Sequence, residues 1–222
     1  LAGAVATIAL AMASTSLHED RDELRETLAK AQGSATQLEA VGWRFLQKHP
    51  ADALTAAEIA RALYRESSPR AFTYLAWAQQ RYPNHAGTHH LAARLLRAAG
   101  KERQALGEYR AAIANADSPG RYVREIAELY PDAQVALQGL PTQARNPRAI
   151  LEMLARSKKH ELAMLYGQRL IDLGDGSAKV TLITAQTSVR AGRYADGVRL
   201  ARLALSKSTG LDGSLVLAEA LA

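Results

Sequence analysis

Apolar residues recur through most of the chain at helical spacing rather than in strict alternation. In residues 86–119, Leu91, Leu95 and Leu96 precede Gly100, and Ala105, Tyr109 and Ala112 follow it. Spacings of three and four place each run on one stripe of a helix. The glycine between them marks a turn, so the segment is expected to be a pair of helices. The same frame returns along the chain. Residues 52–85 carry Ala71, Leu75 and Ala78 ahead of Pro83, and residues 144–177 carry Ala163, Gly167 and Leu170. Residues 178–211 carry Gly197, Ala201 and Ala204 after Gly192, and residues 19–52 carry Leu38, Gly42 and Phe45 between Gly33 and Pro50. Ala71 to Ala105 and Ala163 to Gly197 are each 34 residues, and Leu38 to Ala71 is 33. A fixed period of this length is the mark of stacked supersecondary units, each too small to bury its apolar face alone.

One interval breaks the period. Ala105 to Ala163 is 58 residues, so a unit near 120–143 is shortened. It holds Pro119, Gly120, Pro131 and Pro141, with Pro147 just beyond. Proline interrupts helix interiors, so short helices are expected near 121–129 and 132–138. The array should bend or change register there. This divides the chain into repeats over 18–119, the short irregular unit 120–143, and further repeats over 144–222.

The small residue, aromatic, small residue order of Ala105, Tyr109 and Ala112, with Gly100 before it and the 34-residue recurrence, resembles the tetratricopeptide repeat family. The resemblance covers about residues 19–211. It implies an all-α fold, an α-α superhelix of antiparallel helix pairs stacked with a right-handed turn. The unit with Ala163 departs from the pattern in lacking its aromatic and its turn glycine, and no unit has the early tryptophan. In this family the first helix of each unit lines a concave groove. Carried across, that geometry would present Asp20, Glu23 and Lys30, then Ala56, Ala60, Leu63 and Tyr64. His90, Arg94 and Arg97 would follow, then Arg145, Arg148, Glu152 and Arg156, and finally Lys179, Gln186 and Arg190. The expected partner-binding set is therefore His90, Arg94, Arg97, Arg145, Arg148, Arg156, Lys179 and Arg190, facing an acidic peptide or protein surface. Arginine suits that task because its planar fork pairs with carboxylates in bidentate fashion. The plainer reading makes the same arginines the solvated faces of helices. The lysine and asparagine set with which some members clamp a terminal carboxylate is not carried here. Trp43, Phe45, Phe72, Tyr74 and Trp77 fall on predicted second helices, where packing between units is their expected use.

Composition agrees with a helical array. Hydrophobic residues are 48% of the 222, aromatics only 5%, and Cys is absent. Good helix formers dominate over β-branched residues. Lack of cysteine excludes disulfides, thiolate catalysis and thiolate zinc sites. The formal charge is +6, with an acidic excess over 18–66 and a basic excess after it.

No catalytic constellation emerges. His85, His89 and His90 cluster, but no carboxylate completes a metal site. Met164 stands where a zincin helix after His160-Glu161 needs its second histidine. No residue pattern points to a cofactor. The expected function is a non-catalytic scaffold for other proteins, with an accessory role in a larger enzyme assembly compatible with it. Base-by-base nucleic-acid reading would need matching polar side chains in every unit, and the groove positions vary.

Residues Leu1 to Leu17 carry no charge, and His18, Glu19, Asp20, Arg21, Asp22 and Glu23 follow at once. The stretch suits a signal peptide cut near Ala11-Met12-Ala13, a membrane-spanning helix or a buried repeat helix. A repeat helix keeps charge on its exposed face, so residues 1–17 are expected to be a membrane anchor. Cytoplasmic flanks favour Lys and Arg. The acidic flank thus points to a repeat domain on the periplasmic or otherwise non-cytoplasmic side, in a bacterial envelope complex.

Overall fold

The computed structural model of the 222-residue chain describes residues 17–207. The expectations for residues 1–16 and for the part of the last repeats beyond 207 lie outside the described residues. Twelve helical segments account for the regular structure of the described residues, with no strand among them. The chain divides into two compact units, one running to Gly100 and the other starting at Lys101.

The first unit contains α1 (17–30), α2 (Ala35–Lys48), α3 (Ala53–Arg65), α4 (Ala71–Arg81) and α5 (Ala86–Ala98). Side-chain caps set where several helices begin. Ser34 accepts from the Gln37 amide, and Asp52 accepts from the Leu54 and Thr55 amides. Such caps satisfy amides that have no partner inside the helix. Leu24, Leu38, Leu46, Ile59, Leu63, Leu75 and Leu91 form the core, with Phe45, Phe72 and Trp77 packed against it. Gly42 explains how closely α2 and α3 approach, because a Cβ there would sit 2.6 Å from Ile59.

The second unit contains α6 (Glu102–Asn115), α7 (Gly120–Leu129), α8 (Ala133–Gln138), α9 (Pro147–Arg156), α10 (His160–Asp172), α11 (Ala178–Arg190) and α12 (Tyr194–Lys207). The two short helices stand where the prolines predicted them. Tyr109 is fully buried and meets Tyr130 edge-on, with ring centroids 6.5 Å apart. The unit thought to lack its aromatic has one after all. Tyr166, one position ahead of the expected place, is fully buried and donates its hydroxyl to the Pro141 carbonyl at 2.7 Å. Burial pushes that phenol well above its ordinary pKa.

The turn glycine missing from the same unit also has a substitute. Gly100 and Gly192 turn their helix pairs with φ of +71° and +78°. Lys158 takes the equivalent place between α9 and α10 with φ +58°, and Ser67 does so between α3 and α4 with φ +55°. L-residues reach this region only at a steric cost.

Helix α11 is the centre of the second unit's packing, in contact with α9, α10 and α12. Thr181, Thr184, Thr187 and Ser188 are buried, yet every hydroxyl donates to a carbonyl of its own helix or its cap. No buried hydroxyl in that stripe is left without a partner. Its small side chains let glycines press in from both sides. A Cβ on Gly167 would lie 2.1 Å from the Thr184 hydroxyl, and one on Gly197 would lie 2.5 Å from Val189.

Candidate partner-binding surface

With its small-residue face committed to α10 and α12, α11 turns Lys179, Ile183, Gln186 and Arg190 outward. Their spacings of four, three and four put them on one stripe. Together with Glu152, Ala155 and Arg156 of α9 they line an open cleft of 310 Å³. Lys179 bridges to Glu152 at 2.6 Å, and Arg156 stands 3.9 Å from the other Glu152 oxygen. The Lys179 hydrogen bond, and lesser attractions from Arg156 and Arg148, hold the Glu152 carboxyl below its ordinary pKa. Arg148 lies one turn nearer the start of α9. It donates to the Ser177 hydroxyl at 3.3 Å, while its buried Nε has no hydrogen-bond partner. Within the cleft, one carboxylate thus stands against Arg156, Lys179 and Arg190, leaving the face basic.

Arg190 also lines a second cleft of 340 Å³, beside Lys158, Lys159, His160, Glu161 and Tyr130. Burial lowers the His160 pKa, and Arg190 and Lys158 lower it further. This extension was invisible in the sequence, because it joins the α9–α10 turn to the end of α11. Ile183, the apolar centre of the first cleft, was also missed. Its signal was the stripe itself, Lys179 through Arg190 at helical spacing.

Arg145 is not part of this face. It precedes α9 and pairs with Asp117. His90, Arg94 and Arg97 lie on α5 in the first unit, with both arginines exposed and His90 half-buried.

The first unit's open cleft is lined by Arg25, Gln32, Glu58, Arg61 and Arg65, and measures 250 Å³. This corrects the phase expected for α3. Ala56, Ala60 and Leu63 are fully buried, because the apolar stripe of α3 faces the core rather than the groove. Asp20 is corrected too. It is 8% exposed and accepts from Lys48 and His49, both at 2.6 Å. Those two hydrogen bonds hold its carboxyl below the usual range.

The histidine cluster is engaged in helix building. His85 caps α5, with Nδ1 accepting from the Thr88 amide, and burial lowers its pKa. His89 bonds the Pro83 carbonyl through Nε2 and faces Gln79 through Nδ1. Of the aromatics, Tyr74 is buried and Trp77 half-buried, but Trp43 is 48% exposed.

The recurring position at which Leu38, Ala71, Ala105, Ala163 and Gly197 stand is buried in every full-length pair. In α4 and α6 the second small residues, Ala78 and Ala112, are fully buried as well. The architecture is one of antiparallel helix pairs with small residues buried at a recurring place, and it resembles tetratricopeptide repeats. No family model matches the chain, and no curated protein matches it. Solved structures do. "PilW, widely conserved type IV pilus biogenesis factor" is 17% identical, over 93% of this chain and 86% of that one, with a TM-score of 0.41. "YrrB: a TPR protein with an unusual peptide-binding site" is 13% identical, over 78% and 95%, with a TM-score of 0.39. Pseudomonas aeruginosa pilF is 14% identical, over 92% and 99%, also with a TM-score of 0.39.

Proposed function

We propose that the protein is a non-catalytic scaffold whose second unit binds an acidic protein segment across α9 and α11. The observation that carries this reading is the single basic face on which Arg156, Lys179 and Arg190 outnumber Glu152 around an open cleft. Ile183 supplies an apolar floor, and Gln186 supplies a donor and an acceptor for backbone groups. A stacked repeat holds these groups rigidly, which reduces the entropic cost of ordering a bound segment. The uncharged stretch of residues 1–17 supports a further part of the reading. It would anchor the repeats to a membrane, on the non-cytoplasmic side, within an assembly of envelope proteins.

The test uses fluorescence anisotropy with a fluorescein-labelled peptide of alternating Glu and Leu, a Lys/Leu peptide and a labelled oligouridylate as comparisons. The acidic peptide should bind, and Arg156→Glu with Arg190→Glu should weaken it at least tenfold while circular dichroism stays unchanged. Equal binding by the folded double variant would overturn the cleft. Tighter binding of the oligouridylate would replace a protein segment by nucleic acid.

A further inference from the structure

The turn from α9 to α10 gathers positive charge that no carboxylate answers. Lys158, Lys159, His160 and Arg190 line the cleft of 340 Å³, and Glu161 is the one carboxylate among its lining residues. Among the described residues, none lies within ion-pair distance of Lys158, Lys159 or Arg190. Lys179 and Arg156, by contrast, share Glu152. The turn that carries the two lysines is closed by its own backbone. The Lys158 amide donates to the Ala155 carbonyl at 3.3 Å and the Lys159 amide to the Leu154 carbonyl at 3.2 Å. The backbone of both residues is thereby tied to the end of α9, and their exposed side chains keep the freedom to reach a ligand.

His160 follows at the first position of α10. Its Nδ1 is buried and has no hydrogen-bond partner, whereas a polar atom withdrawn from water ordinarily has one. A group with several acceptor oxygens and more than one negative charge would satisfy this nitrogen and the three cations together. A phosphate ester brings about two negative charges and three acceptor oxygens. A carboxylate brings a single charge spread over a pair of oxygens. Pro131, Ala133 and Leu162 give the cleft an apolar wall, against which the carbon part of an ester can rest.

We infer that this cleft is a binding site for a small phosphate-bearing anion, held by Lys158, Lys159 and Arg190 with His160 beside it. Arg190 also lines the α9–α11 cleft, so the anion and an acidic segment draw on the same guanidinium and oppose each other. The site stands on its own residues. Its control over partner binding rests on the reading of the α9–α11 face as the partner surface.

Full chain is titrated with sodium phosphate and, separately, with glycerol phosphate, against sodium chloride at equal ionic strength. The His160 ring protons are followed by nuclear magnetic resonance and assigned by their loss in His160→Gln. Both phosphates should shift them saturably while chloride does not, and the His160 pKa should rise, because a neighbouring anion favours the imidazolium. Tighter binding of glycerol phosphate would assign the site to an ester, and tighter binding of phosphate to the free ion. Lys159→Gln and Arg190→Gln, at exposed positions, should each weaken binding about tenfold while circular dichroism stays unchanged. Arg202→Gln, exposed on α12, should leave it unaltered. A chloride shift equal to that of phosphate, or full affinity in the folded Lys159→Gln and Arg190→Gln chains, would overturn the site. At constant ionic strength, phosphate should also release the labelled acidic peptide from the full chain. Peptide that stays bound at saturating phosphate would overturn the coupling and leave the site standing. A chain that binds phosphate but no acidic peptide would overturn the partner surface, and the coupling with it, while the site stands.

Discussion

The two units carry similar helix pairs, but the clefts of the two units are charged differently. In the first, carboxylates answer the cations of α1, α3 and the end of α2. Asp52 accepts two bonds from Arg21 at 2.6 and 2.8 Å, Glu58 takes Arg25 and Arg61, Glu39 takes Arg70, and Asp20 takes Lys48 and His49. On the α9–α11 face of the second, Glu152 is the one carboxylate lining the cleft, beside Arg156, Lys179 and Arg190. An arginine closed into a fork with Asp52 ties helices together; an arginine at the rim of a cleft is available to a partner. Counting basic residues along the sequence does not separate these cases, whereas the number of carboxylates within reach does.

The largest effect that would sharpen the contrast comes from removing one carboxylate on each side. Asp52→Ala deletes the cap of α3 and leaves Arg21 unpaired, and should cost about 2–3 kcal/mol in urea denaturation. Glu152→Ala removes a solvated partner and should cost less than about 0.5 kcal/mol, while strengthening binding of the acidic peptide. A large loss at Glu152 with none at Asp52 would invert the comparison.

Acid should act on the first unit next. Burial raises the Asp52 pKa, but the hydrogen bonds from Arg21 and Thr55 outweigh it and leave the group below its ordinary value. Asp20 is lowered in the same direction. A lowered carboxylate contributes stability that is complete above its unfolded pKa, about 4, and is lost as pH falls through the folded value. The urea midpoint should therefore drop between pH 5 and pH 3. The drop should shrink in Asp52→Asn, which cannot titrate there.

A smaller effect, opposite in sign, tests the turn. Lys158→Gly relieves a left-handed residue and should stabilise the second unit by about 0.5–1 kcal/mol. Gly192→Ala should destabilise by a similar amount, since it imposes the same strain. If both substitutions are neutral, the shared turn geometry does not govern stability.

Much of the fold was legible because its causes are local. The short unit was readable from its prolines, and α7 and α8 begin and end within about two residues of the places those prolines set. The facing of the helices was legible only in part. Lys179 and Arg190 could be placed from the stripe on α11, but Ala56, Ala60 and Leu63 were assigned to the wrong face of α3. A helix rich in alanine on several sides gives a weak phase signal. Tyr166 escaped because it sits one residue from the expected aromatic position, and Lys158 because nothing in a lysine announces a positive φ.

By itself, then, the sequence determined the helix pairs, their 34-residue period and the place where that period fails. Apolar spacing, caps, glycines and prolines act over a few residues and need no knowledge of neighbours. Only the tertiary structure decided which cations have a carboxylate within reach and which do not. The deciding pairs join residues about 30 apart in sequence, Arg21 with Asp52, Arg25 with Glu58 and Glu152 with Lys179. Whether they meet depends on the rotation of one packed helix against the next. That rotation is set by close approaches such as Gly42 on Ile59 and Gly167 on Thr184, which side-chain packing fixes and charge patterning does not.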